Sequence, residues 1–342
     1  MNASQEELIV ESARAGLREK APGARVDVQG LRRLTGGSVR EIWGFDAVLA
    51  RDGEPPERRP LVFLLFRARG PEGKLSPEQE FRLLEIASAA GVPVPQPVWQ
   101  GKTAAGEPFY VMARVEGETI GSRILRDDRL ARARAALPAQ VAAAAAAIHR
   151  VPLGPELDFL EGPPADRAPA DWEIARIEDL YRLVTPDPHP VFELALRWLR
   201  QHLPPGTSRA LVHGDFRIGN VIVDETGLRA VLDWELAHIG DPMEDLGWFC
   251  VRSWRFRADH LPAGGVGSRE SLLDAYAKAG GGAADPARLR FWEIFGNLRW
   301  GVLTLVQARF FLGGASTSVE LASIGRRTAE TEWELLNLLE SA

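Results

Sequence analysis

The sequence from Leu211 to Trp248 reads LVHGDFRIGNVIVDETGLRAVLDWELAHIGDPMEDLGW and decides the fold. Short apolar runs, partly β-branched and bounded by Gly, Asp and Asn, predict brief β-strands in and just before this stretch. The predicted strands are residues 210–212, 221–223 and 230–232. Residues 224–227, Asp-Glu-Thr-Gly, have the composition of a hairpin turn. The stretch is therefore predicted to be a loop followed by a β-hairpin.

Three oxygen-bearing side chains stand at the ends of these strands. Asp215 and Asn220 lie in the loop after the first strand, and Asp233 directly follows the third. Because the hairpin turns the chain back on itself, we expect the three to converge. Mg²⁺ prefers such hard oxygen ligands and takes only one or two protein carboxylates beside substrate phosphates. We predict Asn220 and Asp233 as metal ligands and Asp215 as the base that accepts a hydroxyl proton in phosphoryl transfer.

The alternative is a polar hairpin whose Asp and Asn side chains only form turns and caps. That is the commoner role of any single Asp-Gly or Gly-Asn pair. The combination of all three positions with the strand pattern favours the chemical interpretation.

Two segments, VHGDFRIGN (212–220) and VLDWELAHIGDPMEDLGW (231–248), resemble aminoglycoside phosphotransferase-like kinases, relatives of protein kinases and choline kinases. They are most similar to the subgroup that forms a kinase-like module fused to some acyl-CoA dehydrogenases. The resemblance implies that Asp215 is the catalytic base, that Asn220 and Asp233 bind Mg²⁺, and that ATP is the phosphate donor. Trp-Glu follows Asp233 where protein kinases have Phe-Gly, so nothing indicates a protein-kinase activation switch.

The resemblance implies an α+β, bilobal protein-kinase-like fold. A small β-rich N-terminal lobe, residues 1–114, would bind the nucleotide, and a larger, mainly helical C-terminal lobe, residues 115–342, would hold the catalytic and substrate sites. The strand-like runs of the first lobe are residues 26–34, 39–49, 61–66 and 108–112. The predicted helices of the second lobe are residues 129–150, 171–183, 191–203, 242–251, 271–279, 286–312 and 318–339.

Gly36, Gly37 and Ser38 lie between the first two strand-like runs. A Gly-Gly hairpin turn without a ligand is the usual explanation of such a segment, although its backbone can also offer amide donors to phosphate. The resemblance implies that it is the loop that covers the nucleotide. It also implies that the hinge between the lobes lines the adenine pocket. The predicted adenine contacts are Met112, Ala113 and Val115.

Protein kinases place a lysine on their third strand, but no lysine of this chain lies in the run 61–66. Arg67, at the end of that run, is the best substitute because its fixed charge and planar fork suit phosphate. Arg69 stays an alternative, since residues two apart share a strand face.

The expected partner of this arginine is a glutamate on the helix that begins at Pro77. Helical spacing puts Glu80 on the same face as Leu83, Leu84 and Ala87, whereas Glu78 and Glu85 share another face. A core-facing glutamate ordinarily needs a paired cation. We therefore predict an Arg67–Glu80 pair at the nucleotide.

Several residues of the C-terminal two thirds are weaker candidates. Aromatic clusters are more often core than ligand pocket, so these residues are only candidates for the acceptor site. They are Trp248, Trp254, Trp292, Trp300, Arg252 and Arg299. We expect Asp245 to brace the catalytic loop and His149 to be packed at a helix end, while His238 could face substrate.

Composition excludes several protein classes. The chain has 342 residues and a formal net charge of −6, whereas proteins that bind nucleic acid or anionic membranes carry a basic excess. A single cysteine, Cys250, excludes disulfide frameworks and thiolate zinc sites. Neither a signal peptide nor a run of roughly 20 apolar residues is recognisable. We expect a cytoplasmic monomer or homodimer that binds neither nucleic acid nor membrane.

The sequence thus predicts an ATP- and Mg²⁺-dependent kinase whose partner is a small-molecule hydroxyl acceptor, either aminoglycoside-like or a hydroxy-acyl compound. The alternative is a catalytically silent nucleotide-binding module, motivated by the missing strand lysine and opposed by the intact Asp215, Asn220 and Asp233. A metallophosphoesterase, which His213-Gly214-Asp215 suggests, fails because Val221 stands where that class needs a histidine. The choice between ATP and GTP and the identity of the acceptor stay open.

Overall fold

The computed structural model describes residues 3–34, 40–67, 74–185, 187–206, 208–283 and 285–340. The chain forms two compact units. The first comprises Met1–Gly117 and Arg229–Leu236, and the second comprises Glu118–Leu228 and Ala237–Ala342. The segment with Asp233 therefore belongs to the first unit, although the chain on either side of it belongs to the second.

The first unit is built on an antiparallel β-sheet. Its strands are β1 (Arg25–Leu34), β2 (Arg40–Ala50), β3 (Glu57–Phe66), β4 (Pro97–Lys102) and β5 (Pro108–Ala113). They lie in the order β1-β2-β3-β5-β4, and each neighbouring pair is antiparallel. The helices of this unit are α1 (Ala3–Lys20) and α2 (Pro77–Ala89).

The two faces of this sheet are covered by different helices. Side chains alternate along a strand, so neighbouring residues of β3 point to opposite faces. Phe63 and Leu65 join Ile9 of α1 in one buried core. Phe66 packs on the other face, against Tyr110, at 5.6 Å between ring centroids. The side of β3 on which a residue lies therefore decides which helix it meets.

The second unit is mainly helical. Its helices are α3 (Gly121–Ile124), α4 (Ala131–His149), α5 (Pro169–Val184), α6 (Pro190–Gln201), α7 (Met243–Phe249), α8 (Arg269–Lys278), α9 (Pro286–Leu312), α10 (Val319–Gly325) and α11 (Thr328–Glu340). Two short strands, β6 (Ala210–Val212) and β9 (His238–Gly240), pair antiparallel. β7 (Val221–Asp224) leads through a turn into β8 (Gly227–Val231), which passes from the second unit into the first.

Helix prediction was accurate for α9, whose observed bounds are the predicted ones. The predicted helix 318–339 is wrong as a single element, because the structure breaks it into α10 and α11. α10 ends at Gly325, where an added Cβ would lie 2.6 Å from Cβ of Ala308 on α9. The break between α10 and α11 thus lies where the chain packs closely against α9. Helical periodicity in the sequence does not reveal this contact. Within the described part of the chain, no helix has the length and apolar character needed to span a membrane.

Helices α7 and α9 pack closely because of a glycine. A Cβ built on Gly247 would lie 2.4 Å from the carbonyl carbon of Trp292, a distance that real Cβ atoms do not adopt. The neighbour is backbone, so it cannot rotate away. This close approach holds the start of α7, with Asp245, in a fixed position against α9.

Substituting Gly247→Ala should therefore destabilise the protein by about 1–3 kcal/mol, the usual cost of overpacking a core. Urea-induced unfolding followed by tryptophan fluorescence measures this change. Gly154→Ala is the matched control, because Gly154 has extended backbone at φ −158° and, among the described residues beyond its chain neighbours, no heavy atom lies within 4 Å of an added Cβ. An unfolding midpoint of Gly247→Ala equal to that of the control would contradict this description of the interface.

Candidate functional site

Asp215 lies in the second unit, on the loop that follows β6. Its carboxylate accepts hydrogen bonds from Trp248 Nε1 (2.7 Å), Asn220 Nδ2 (2.6 Å) and Arg217 Nε (3.1 Å). Trp248 and Asn220 bond different oxygens, so both ends of the carboxylate are held. Its side chain keeps 16% of its surface exposed. The group is thus oriented by three donors and still open to solvent.

Asn220 is buried and has a defined orientation. Its Nδ2 donates to the backbone carbonyl of Asp215 at 2.9 Å as well as to the Asp215 carboxylate. Both amide hydrogens are therefore used within the loop, and the side-chain oxygen accepts from no residue in the described ranges. An oriented carboxamide oxygen of this kind is a ligand that suits a hard cation. The structure brings Asp215 and Asn220 together as the sequence predicts.

The backbone of the loop is clamped by a buried carboxylate. Asp245, on α7, accepts hydrogen bonds from the backbone N–H groups of His213 (2.8 Å) and Gly214 (3.0 Å). Gly214 has φ +78°, a left-handed conformation that suits glycine. The prediction that Asp245 braces the loop that carries Asp215 is confirmed.

A second layer holds Asp245 itself. His149, at the end of α4, shares a 3.0 Å hydrogen bond with Asp245 and a 2.7 Å hydrogen bond with the hydroxyl of Tyr276. Burial alone would raise the pKa of the Asp245 carboxyl, but the hydrogen bond and charge of His149 and the bond from His213 hold it below its usual value. Asp245 therefore stays ionised in the interior. The prediction of a packed helix-end histidine at His149 is confirmed.

Asp233 lies in the first unit, two residues after the end of β8. It has φ +67°, a left-handed conformation that non-glycine residues seldom adopt outside functional or strained sites. Its side chain is 36% exposed, and one carboxylate oxygen lies 3.0 Å from Nη2 of Arg40. The carboxylate thus combines an unusual backbone conformation with access to solvent.

Arg40 is the cation at the centre of an acidic cluster. It pairs with Glu80 at 3.1 Å, with Asp233, and with Glu235. Burial opposes its charge, but the carboxylates of Glu80, Asp233 and Glu235 outweigh burial and raise the pKa of Arg40. Lys74 adds a second cation, 2.5 Å from Glu235. The cluster links the start of β2 to α2 and to the segment that carries Asp233.

Glu80 itself lies in the core, as helical spacing predicts, with Leu83, Leu84 and Ala87 buried on the same helix. Desolvation raises the pKa of this carboxyl, and the charge of Arg40 opposes the rise. Glu80 is therefore the kind of buried carboxylate that depends on its cation.

The predicted Arg67–Glu80 pair is wrong, and strand geometry gives the reason. Arg67 lies on the face of the sheet that α1 covers and bonds Glu41 at 2.8 Å. Arg40 lies opposite Phe66 in the β2–β3 register, on the face that α2 covers, and there it reaches Glu80. A bond from Arg67 to Glu80 would have to cross the sheet. Sequence reasoning missed Arg40 because the cross-strand register cannot be read from β3 alone.

The remaining predicted nucleotide contacts lie in or beside the first unit. Met112 and Ala113 end β5, Val115 follows two residues later, and all three are half-buried. Gly36, Gly37 and Ser38, together with Arg69, lie outside the described residues. Nothing in the structure tests their predicted contacts with the nucleotide.

Three of the predicted aromatic residues form a row of tilted rings beside Asp215. The ring centroids of Trp248 and Trp254 lie 5.3 Å apart, and those of Trp254 and Trp300 lie 4.8 Å apart. The guanidinium of Arg217 lies 5.0 Å from the Trp254 ring centroid, so it bridges this row of rings and the Asp215 carboxylate. Trp292 does not join them and packs instead against Phe291 and Phe295. Arg217 is a site residue that sequence reasoning missed, and its only signal was its place two positions after Asp215.

His238 does not face solvent in this structure. It is buried and lies 3.2 Å from Glu244 and 3.8 Å from Glu173. These three residues bring potential metal ligands within 4.8 Å of one another. Arg299 bonds Glu244 at 3.0 Å, however, so a protein cation already compensates this acidic group. We interpret the group as an internal ion-pair network.

Comparison with known proteins agrees with this geometry. The chain is 30% identical over 292 residues to acyl-CoA dehydrogenase family member 11 of Gallus gallus, covering 78% of this chain and 37% of that protein. It is 33% identical over 191 residues to acyl-CoA dehydrogenase family member 10 of Mus musculus, covering 53% of this chain and 18% of that protein. The chain thus spans little more than a third of the length of the first relative and less of the second.

Solved structures share the fold. A putative aminoglycoside phosphotransferase from Ralstonia eutropha superimposes with a TM-score of 0.72 at 23% identity, covering 95% of this chain and 97% of that chain. A thermostable mutant of aminoglycoside phosphotransferase APH(4)-Ia, in complex with AMP-PNP and hygromycin B, gives a TM-score of 0.58 at 21% identity, covering 94% and 97%. The predicted α+β fold class, with a small β-rich N-terminal region and a larger helical C-terminal region, is confirmed.

The sequence also matches the phosphotransferase enzyme family over residues 39–292. The resemblance proposed from the sequence is confirmed. Because this match covers well over half of the 342 residues, the chain belongs to the phosphotransferase enzyme family.

Proposed function

We propose that this protein transfers the γ-phosphate of ATP to a hydroxyl group of a small molecule, with Asp215 as the base. One observation carries the proposal. The Asp215 carboxylate is oriented by Trp248, Asn220 and Arg217, yet it stays partly exposed on a clamped loop. Family membership supports a phosphotransferase, and structures with the same fold are complexes with AMP-PNP or GDP.

In the proposed reaction the acceptor oxygen attacks the γ-phosphorus while the bond from that phosphorus to the β-phosphate oxygen breaks. The hydroxyl proton passes to the Asp215 carboxylate, and ADP leaves. Such transfers need little covalent chemistry from the protein, so orientation and charge neutralisation supply most of the rate. The donors around Asp215 supply the orientation, because they fix the plane of the carboxylate before the acceptor binds.

The chemistry of two side chains suits a magnesium ion. Asn220 presents a carboxamide oxygen whose own amide hydrogens are used, and Asp233 presents a carboxylate on a strained backbone. We infer that these two side chains hold Mg²⁺. When bound, Mg²⁺ would neutralise charge on the β- and γ-phosphates. Asp215 is left as the base, because it is not one of these two ligands and its carboxylate is still partly exposed.

Arg40 pairs with Glu80. We propose that this pair, rather than the predicted Arg67–Glu80 pair, lies at the nucleotide. Its position beside Asp233 places a fixed positive charge next to the inferred metal ligand. Phosphate contact by Gly36, Gly37 and Ser38, and adenine contact by the end of β5, remain part of the proposal, whereas Arg67 does not, because it lies on the other face of the sheet and pairs with Glu41.

One observation favours the silent nucleotide-binding module. Asp233 already pairs with Arg40, so in this structure its charge is partly neutralised by protein. A silent module would bind ATP without transferring phosphate to any acceptor. The same screen of acceptors that tests the kinase therefore separates the two functions.

Substituting Asp215→Ala should lower turnover at least about a hundredfold, because the attacking hydroxyl loses its proton acceptor. ATP affinity should change little, since Asp215 is not an inferred metal ligand. A screen of hydroxyl compounds that monitors ADP release measures turnover, and a fluorescent ATP analogue measures affinity. Asp158→Asn, at an exposed carboxylate of the same unit, is the control. Full turnover by Asp215→Ala would remove Asp215 from the mechanism.

Arg40→Met should lower the free energy of unfolding by about 3 kcal/mol or more, because buried Glu80 loses its cation. Arg67→Met, a matched change in the same sheet at a 40% exposed side chain, should cost no more than about 1 kcal/mol. Chemical denaturation of both variants gives the two values. The double variant Arg40→Met/Glu80→Leu should recover part of the loss. Equal destabilisation by the two single substitutions would show that the Glu80 pair is misassigned.

A further inference from the structure

A cavity of about 430 Å³ lies within the second unit and is lined by an unusual number of cations. We call it the arginine cavity after the four arginines that line it. They are Arg126, Arg252, Arg257 and Arg327. None of these side chains takes part in the site around Asp215. The function proposed above therefore leaves the cavity unexplained.

The charges of the cavity do not balance. Two carboxylates line it, and each is paired: Asp259 lies 2.9 Å from Arg252, and Glu330 lies 3.0 Å from Arg327. Arg126 donates to the backbone carbonyl of Phe256 at 3.1 Å. Within the described ranges, neither Arg126 nor Arg257 has a carboxylate within ion-pair distance. The lining residues therefore carry two more positive than negative charges, and behind them Glu334 lies 3.7 Å from Arg252 and 3.3 Å from Arg255.

The backbone at the cavity is held in an unfavourable conformation. Phe256 has φ +45° and Arg257 has φ +78°, two successive non-glycine residues in the left-handed region. Each such residue costs about 1–3 kcal/mol and is retained where the surrounding structure enforces it, often at ligand sites. The bond from Arg126 to Phe256 is one of the contacts that enforce it. The strained pair places Arg257 in the cavity lining.

The arginine cavity adjoins the catalytic loop through shared packing. A Cβ added to Gly121 would lie 2.6 Å from the Phe256 ring and 3.1 Å from Ile218, so both residues pack on this glycine. Ile218 is three positions after Asp215. On another side, Trp254 follows the lining residue Ser253 and lies under Arg217, which bonds Asp215. The residues that line the cavity and the loop that carries Asp215 thus pack on shared neighbours within the second unit.

We propose that the arginine cavity binds an anionic group, a carboxylate or a phosphate, of the phosphate acceptor. Guanidinium groups form bidentate, charge-assisted hydrogen bonds with both kinds of anion. Because the unbalanced charge is positive, the cavity would repel a polyamine. The inference rests on the proposed function and narrows it: the acceptor is a hydroxyl compound with a negative charge, and polycationic aminoglycosides are excluded.

Measurements of ligand binding test the assignment of the arginine cavity as an anion site, and they do not require turnover. In the Asp215→Ala protein, NMR titrations with hydroxybutyrate and with glycerol phosphate should show binding, and the two anions distinguish a carboxylate from a phosphate ligand. The neutral analogues hydroxybutyramide and glycerol should bind at least about tenfold more weakly, because each hydrogen bond to a charged group contributes strongly to the free energy of binding. Failure of both anions to bind, or equal binding of the neutral analogues, would overturn the proposal.

Variants locate the site. The double substitution Arg126→Gln/Arg257→Gln should weaken binding of the anion at least about tenfold, while ATP affinity stays unchanged. Arg129→Gln is the control, since Arg129 is exposed and pairs with Asp127 outside the cavity. Retention of anion affinity by the double variant would refute the assigned site. The proposed function is judged separately, because its failure would appear as equal ADP release by the wild type and Asp215→Ala.

Discussion

The site depends on one interaction: the buried carboxylate of Asp245 accepts hydrogen bonds from two backbone N–H groups. It fixes the turn at His213 and Gly214, and the next residue is Asp215. A buried charge of this kind is stable only when it is fully hydrogen-bonded, and His149 supplies the remaining bond. Since α7 carries Asp245 and packs on α9, the long helices of the second unit set the position of the loop that carries Asp215.

The sequence predicted those residues whose role follows from local pattern. Asp245 lies at the start of the helix that follows the segment with Asp233, and Glu80 falls on the apolar face of its own helix. Residues whose role depends on distant contacts were missed. Trp248 was only a weak candidate for the acceptor site, but it donates to Asp215 across 33 positions. Arg40 was missed because its partner is chosen by the register of β2 against β3, which no spacing rule encodes.

Two kinds of electrostatic environment emerge from these contacts. Around Arg40, three carboxylates surround one buried cation, so the first unit holds Asp233 in a cluster with excess negative charge. Around the arginine cavity the excess is positive. We interpret the first environment as suited to a divalent cation and the second as suited to an anion. Phosphoryl transfer to an acidic acceptor involves both kinds of charged partner.

A crystal structure of the complex with AMP-PNP and Mg²⁺ tests the central claim most directly. We expect one Mg²⁺ bound by the side-chain oxygen of Asn220 and a carboxylate oxygen of Asp233 at about 2.0–2.1 Å, with Asp215 off the metal. A metal ion held by Asp215, or an Asp233 that remains paired with Arg40 away from the ion, would contradict this account.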